Sequence, residues 1–378
     1  MPSTLRFFTM MFCTLLFLPP SAQAGGLGGD WGGARGQLES SGLSLEAVYS
    51  GEFVRNLDPG LVQPRKDTIY HDNLDLTATL DTEAAGWWTG GTFFLYGLYN
   101  HGGFPSASVI GDLQTASNIE ASRNQFIVHE AWYEHRLGGG VSLLAGLHDL
   151  NSEFNASEYG SLFINSSSGI DPSISANVPT SLFPKAGLGL RMKFAPGDAW
   201  YVQAAVYDGD PATRSISKTE GGMSIVEAGT HLPGDGSYKL GAWLHSADKI
   251  FAGQRYNNDY GIYALADQPL YSFSAGTEVS AFMQFGWVPR KRNEITRYYG
   301  AGLHLAGLIP RRPDDEAGVA VSNAYTRSGT EHAVELTWRL ALTDGLSVQP
   351  DMQWIFNSGG NAAASSIRVA MLRFELTL

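Results

Sequence analysis

Ser366-Ile367-Arg368-Val369-Ala370-Met371-Leu372-Arg373-Phe374-Glu375-Leu376-Thr377-Leu378 closes the chain as an amphipathic strand. Ala370, Leu372, Phe374, Leu376 and Leu378 fall on one face, and Arg373, Glu375 and Thr377 on the other. Successive side chains of a strand point to opposite sides, so this alternation sorts oil from water. A water-soluble domain rarely ends on a strand this regular with its apolar face intact. A barrel in an outer membrane requires one, with lipid on one side and a polar lumen on the other.

The same period recurs upstream. Leu43, Leu45, Ala47, Tyr49 and Phe53 oppose Ser44, Glu46, Ser50 and Glu52. Leu74, Leu76, Ala78 and Leu80 oppose Asn73, Asp75, Thr77 and Thr79. Ala186, Leu188, Leu190, Met192 and Phe194 oppose Lys185, Arg191 and Lys193, and Val334, Leu336, Trp338 and Leu340 oppose Glu335, Thr337 and Arg339. Further strands are predicted at 90–99, 127–137, 141–149, 199–207, 223–231, 237–246, 259–267, 278–288, 297–308 and 346–356. That makes fifteen clear strands. A bacterial barrel with both termini at one end needs an even number, so a short additional strand is expected within 268–278.

Connection lengths alternate too. Gly138-Gly139-Gly140, Ala195-Pro196-Gly197-Asp198, Pro233-Gly234-Asp235-Gly236 and Thr343-Asp344-Gly345 are turn sequences. Long connections are predicted near 54–72, 100–126, 150–184, 208–222, 246–258 and 309–330. The fold expected is all-β: a transmembrane antiparallel β-barrel of about 16 strands, with short periplasmic turns and long extracellular loops.

Residues 1–24 read as a secretory signal, with Arg6, an apolar run from Phe7 to Leu18 and Ala22-Gln23-Ala24 as the cleavage site. The one cysteine, Cys13, lies inside it, which excludes disulfide scaffolds and thiolate chemistry from the mature chain. Residues 25–42 form a glycine-rich segment with a short helix expected over 36–41, and 43–378 the barrel. The formal net charge of −12 argues against nucleic acid, whose phosphates call for a basic footprint. Forty-five glycines, 12% aromatic and only 16% charged residues suit strands joined by tight turns. Trp87, Trp88, Trp132, Tyr133, Trp200, Tyr201, Trp287, Tyr298 and Tyr299 gather near strand ends and are expected to form interfacial girdles.

A charge on the lipid face costs roughly 2–4 kcal/mol at mid-depth, so the strand-borne ionisable residues should line the lumen. These are Glu46, Glu130, Glu134, Arg136, Lys185, Arg191, Lys193, Arg339 and Glu375. The 150–184 connection is expected to fold into the mouth, offering Asn151, Glu153, Asn155 and Asn165 to a solute's hydroxyls, with Arg123 a further constriction residue. The tract Asp314-Asp315-Glu316 reads as an exposed loop cluster. His129, His135, His148, His245, His304 and His332 accompany neither a nucleophile elbow nor a metal-binding spacing. No catalytic residue, metal or cofactor is expected.

Several segments, in order along the chain, resemble the carbohydrate-selective, OprB-type outer-membrane porins. They are Gly29-Asp30-Trp31-Gly32-Gly33-Ala34-Arg35, Ala145-Gly146-Leu147-His148-Asp149-Leu150-Asn151-Ser152-Glu153-Phe154 and Phe163-Ile164-Asn165-Ser166-Ser167-Ser168-Gly169. Ala205-Val206-Tyr207-Asp208-Gly209, Tyr299-Gly300-Ala301-Gly302-Leu303 and Gln349-Pro350-Asp351-Met352-Gln353-Trp354-Ile355 follow. Leu378 stands where such barrels carry an aromatic, and Asn357-Ser358-Gly359 replaces Asn-Pro-Gly. The resemblance implies a monomeric channel in the outer membrane of a Gram-negative bacterium. Its solutes would be sugars, and its partners outer-membrane lipid, lipopolysaccharide and the barrel-assembly machinery. A polysaccharide-export or non-selective channel, and a lipid-hydrolysing barrel enzyme, are the alternatives.

Overall fold

The computed structural model describes residues 26–59, 66–232, 235–273 and 276–378. The expected signal segment, Cys13 and Pro233-Gly234 lie outside the described residues. Sixteen antiparallel strands close into one barrel. They are β1 (Leu43–Asn56), β2 (Thr68–Asp81), β3 (Gly91–Gly102), β4 (Gln125–Gly138), β5 (Val141–His148), β6 (Gly187–Phe194), β7 (Trp200–Asp208) and β8 (Gly222–Leu232). There follow β9 (Gly236–His245), β10 (Asp259–Ser272), β11 (Glu278–Trp287), β12 (Ile295–Ala306), β13 (Glu316–Thr326), β14 (Thr330–Thr343), β15 (Leu346–Phe356) and β16 (Ile367–Thr377). The first and last strands pair from Val48↔Thr377 to Asn56↔Val369, which leaves no open edge in lipid. A two-stranded hairpin, Lys249–Phe251 with Gln254–Tyr256, sits in the connection between β9 and β10.

The even count holds, but the sixteenth strand is not where alternation suggested. Residues 268–272 prolong β10, and the extra strand is β13, in a stretch expected to be loop. Its inward side chains are Gly318, Ala320, Ser322 and Ala324, too small to contrast with outward Val319 and Val321. The acidic tract changes character with it. Asp315 is buried against Arg312 at 2.5 Å in the turn before β13, and Glu316 opens the strand. That turn lies at the end of the barrel shared with both chain termini, the periplasmic end in barrels of this kind.

Adjacent aromatics separate for the same geometric reason. Trp200 is exposed on the lipid face, whereas Tyr201 turns inward to Glu227 at 2.8 Å. Tyr299 is exposed and Tyr298 fully buried, and Trp132 faces inward while Tyr133 bonds to Trp88 outside. A third of the expected girdle, three of its nine aromatics, is therefore lumen wall. A short helix, α1 (Ala34–Ser40), lies against the base of the barrel, where Arg35 donates to the Leu378 carbonyl at 3.1 Å.

The core is inside the barrel. Connections 103–124 and 149–186 fold back through the far mouth. Leu150, Phe154, Ile174 and Val178 pack on inward residues of β7 to β10, including Tyr207, Trp243 and Tyr263. Val109, Ile110, Ala116 and Ile164 pack on Val54, Ala333, Ile355, Val369 and Met371. That contact explains why β16 carries apolar side chains on both faces in its far half.

Candidate functional site

A loop without regular structure carries backbone N–H groups that burial forbids it to leave unpaired. Here the barrel wall supplies the acceptors. Glu335 of β14 accepts from the Ile164 N–H at 2.6 Å and Glu331 from those of Leu113 at 2.8 Å and Gln114 at 2.9 Å. Glu227 of β8, with no solvent exposure, accepts from the Asn155 N–H at 3.0 Å and from the Tyr201 and Tyr263 hydroxyls, each at 2.8 Å. Asp267 of β10 takes Ser157 Oγ at 2.6 Å and Tyr159 N at 3.2 Å, and Glu130 of β4 takes Asp149 N at 2.9 Å. Each such charge-assisted bond contributes about 1.5–3 kcal/mol. Two glycines let the loop approach the wall. A Cβ on Gly286 would stand 1.6 Å from Asp171 Oδ2, and one on Gly318 2.5 Å from the Phe163 ring.

Further inward-facing ionisable groups include three mixed sets. Arg191 of β6 reaches Glu134 of β4 at 2.8 Å and loop residue Glu153 at 2.6 Å. Arg373 of β16 pairs with Glu52 of β1, which also meets His71 at 2.8 Å, and touches Asn118 of the first inward loop. Arg339 of β14 lies between Glu316 at 3.1 Å and Glu375 at 3.7 Å, with His304 on the far side of Glu316 at 3.1 Å. Trp132 stacks on Phe94 with ring centroids 4.9 Å apart and donates its indole N–H to Glu130 at 3.1 Å.

A sequence model of the carbohydrate-selective, OprB family of porins matches residues 65–378. The chain belongs to that family. It is 24% identical to Porin B of Pseudomonas aeruginosa over 416 residues, covering 92% of this chain and 90% of that one. The high-pH structure of Pseudomonas putida OprB superposes with a TM-score of 0.85 at 20% identity, covering 95% of this chain and 99% of the other. An anion-selective porin from Comamonas acidovorans superposes at 0.57 with 11% identity, over 89% of this chain and 99% of that one. This porin is accordingly an outer-membrane channel of a Gram-negative bacterium and not an enzyme.

Within the porin, the residues picked out by sequence divide by role. Glu134, Arg191, Lys193, Arg339 and Glu375 are inward on strands, with Lys193 over the Tyr201 ring at 4.8 Å. Glu46 is half-buried on β1, Glu130 is buried beneath the loop, and Arg136 is exposed near the end of β4. Lys185 departs from expectation: it precedes β6 and its ammonium caps the Ala212 carbonyl at 2.5 Å, clasping two far-end loops. Arg123 also stands apart, exposed at the rim on Gln125 at 2.9 Å.

The loop amides serve the loop and, through Asn165 donating to Gln353 of β15 at 3.1 Å, its attachment to the wall. Asn151 donates to the carbonyls of Phe154, Asn155 and Gly169, and Asn165 caps a helical turn at Ser167 N. Asn155 is buried with a backbone φ of 55°. Burial alone would raise the Glu153 carboxyl, yet Arg191 beside it holds it below the ordinary range. Burial pushes Asp171 up to about 6, against the lowering effect of its bonds from Ser173. Sequence places Glu52, Glu335 and Arg373 on polar strand faces without a site role, and does not mark Glu227, Asp267 or Glu331. Glu227 shares its inward face with Met223 and Ile225, so alternation there shows no polar side.

Proposed function

We propose that this porin passes uncharged sugars, monosaccharides or small oligosaccharides, by passive diffusion through a lumen narrowed by its two inward loops. The observation that carries the proposal is the pairing of cations with anions around the passage: Arg191 with Glu134 and Glu153, Arg373 with Glu52, Arg339 with Glu316 and Glu375. Three guanidinium groups thus face five carboxylates, and together they offer donors and acceptors to hydroxyl groups. Trp132, backed by Phe94, supplies a flat surface for the apolar face of a sugar ring. Weak binding suits flux, since a tight site would hold its solute. A single chain closes the barrel, and in this proposal the channel acts as a monomer.

Planar-bilayer conductance with glucose, a disaccharide and a neutral non-sugar osmolyte tests it. Sugars should block the ion current and the osmolyte should not. Permeation ordered by size alone would instead favour a general or polysaccharide-export channel. In Trp132→Ala, sugar block should weaken by about 5- to 150-fold, the about 1–3 kcal/mol of a lost stacking or apolar contact, while ion conductance holds or rises. Unaltered block would remove Trp132 from the solute path.

A further inference from the structure

At the far end of the barrel, three cations have acidic partners. Arg368 pairs with Asp58, Lys249 with Asp259 and Arg255 with Asp248. One arc differs. Arg290 and Lys291 in the β11–β12 connection, Arg297 on β12 and Arg327 in the β13–β14 turn are all exposed. None of the four has an ion pair among the described residues. Arg290 donates to the Arg327 carbonyl at 3.1 Å, tying the two connections together. Arg290, Lys291, Glu294, Arg327 and Ser328 line an open depression of about 800 Å³, with one acid against three bases. That excess of positive charge stands on a chain whose net charge is −12.

Arg297 fixes the level of this arc in the membrane. Register places Trp287, Arg297 and Tyr325 side by side on β11, β12 and β13. All three lie on the outer face, with the guanidinium 5.2 Å from the Tyr325 ring centroid. Tyr299 and Phe285, 5.3 Å apart by ring centroid, continue the aromatic surface toward the hydrocarbon. Aromatic rings in such a row mark the headgroup level. A cation turned toward lipid there is stabilised by an anion of the membrane itself. A site for a soluble anion would have no use for it.

We propose that this arc binds the phosphate groups of a phosphorylated glycolipid of the outer leaflet. Arg290, Arg297 and Arg327 act as planar forks and Lys291 as a point charge, and the acyl chains lie along Trp287, Tyr299 and Phe285. Guanidinium forks match phosphate oxygens bidentately.

The test uses the full-length porin in detergent, titrated with a bis-phosphorylated lipid A and followed by native mass spectrometry. The combined variant Arg290→Gln, Lys291→Gln, Arg297→Gln, Arg327→Gln should bind it at least about tenfold more weakly, given about 1 kcal/mol for each basic residue near an anionic surface. Arg55→Gln, on β1 four strands around the wall from β13, should bind as the parent does. Dephosphorylated lipid A should bind parent and variant alike. Equal retention of the phosphorylated lipid by parent and combined variant overturns the proposal. So does inorganic phosphate binding as tightly as the lipid, which would make the arc a soluble-anion site. Should the combined variant fail to fold, Lys291→Gln and Arg297→Gln singly must each weaken binding for the proposal to stand.

Discussion

Arg191→Ala is expected to enlarge the channel and lower the melting temperature of the barrel. The guanidinium is 2% exposed and bonds to both oxygens of Glu153, at 2.6 and 2.7 Å, as well as to Glu134. Removing it leaves Glu153 buried without its cation at the root of the second inward loop, and breaking such a pair from one side costs about 3–5 kcal/mol. The adjacent loop then gives up its position against β6 and β7, where Gln203 also holds the Glu153 carbonyl at 3.0 Å. Single-channel recording should show a higher and noisier conductance, and melting in detergent an earlier transition. Arg191→Lys should recover the melting temperature only in part, since one ammonium cannot reproduce the fork. A variant with parental conductance and melting would mean that this pair does not hold the loop.

Gly286→Ala should displace the loop from a different point of attachment. The added methyl would fall 1.6 Å from Asp171 Oδ2, whose carboxylate caps a helical turn through Ser173 N at 2.7 Å. Neither group can yield easily, because Asp171 is 2% exposed and Gly286 belongs to a paired strand. Overpacking of this kind costs about 1–3 kcal/mol, and it acts on the loop rather than on the barrel. Limited proteolysis of the intact porin should therefore cut within 149–186 in the variant and spare the parent. Gly197→Ala, whose added carbon meets nothing within 4 Å, serves as the matched control. Identical cleavage in Gly286→Ala and the control would show that the loop is not docked through this glycine.

The barrel was legible because lipid imposes one rule on every strand. Leu190 and Met192 outside and Arg191 inside can be read without any neighbour in view. The rule loses contrast where protein rather than water fills the lumen. Gly318, Ala320 and Ala324 are small because Phe163 and Leu162 press against the wall beside them, so β13 resembles a loop in sequence. Met223 and Ile225 are apolar for the same reason, and they hide Glu227 among them. Glu227 thus lies where alternation is weakest, whereas Glu335 sits on a strand whose alternation is clear. Asn151 and Asn165 could be recognised as loop polar groups, but only the folded chain shows them spent on loop backbone atoms and, for Asn165, on Gln353 of the wall. A two-fold period also cannot assign Trp132 and Tyr133 to one belt, since neighbours on a strand never share a face.

The stitching of the inner loop to Glu130, Glu227, Asp267 and Glu335 has a physiological corollary. Passive diffusion through an aperture sewn to its frame scales with the number of copies in the envelope and with the concentration difference across it. Transport then depends on how quickly the compartment beneath clears what arrives.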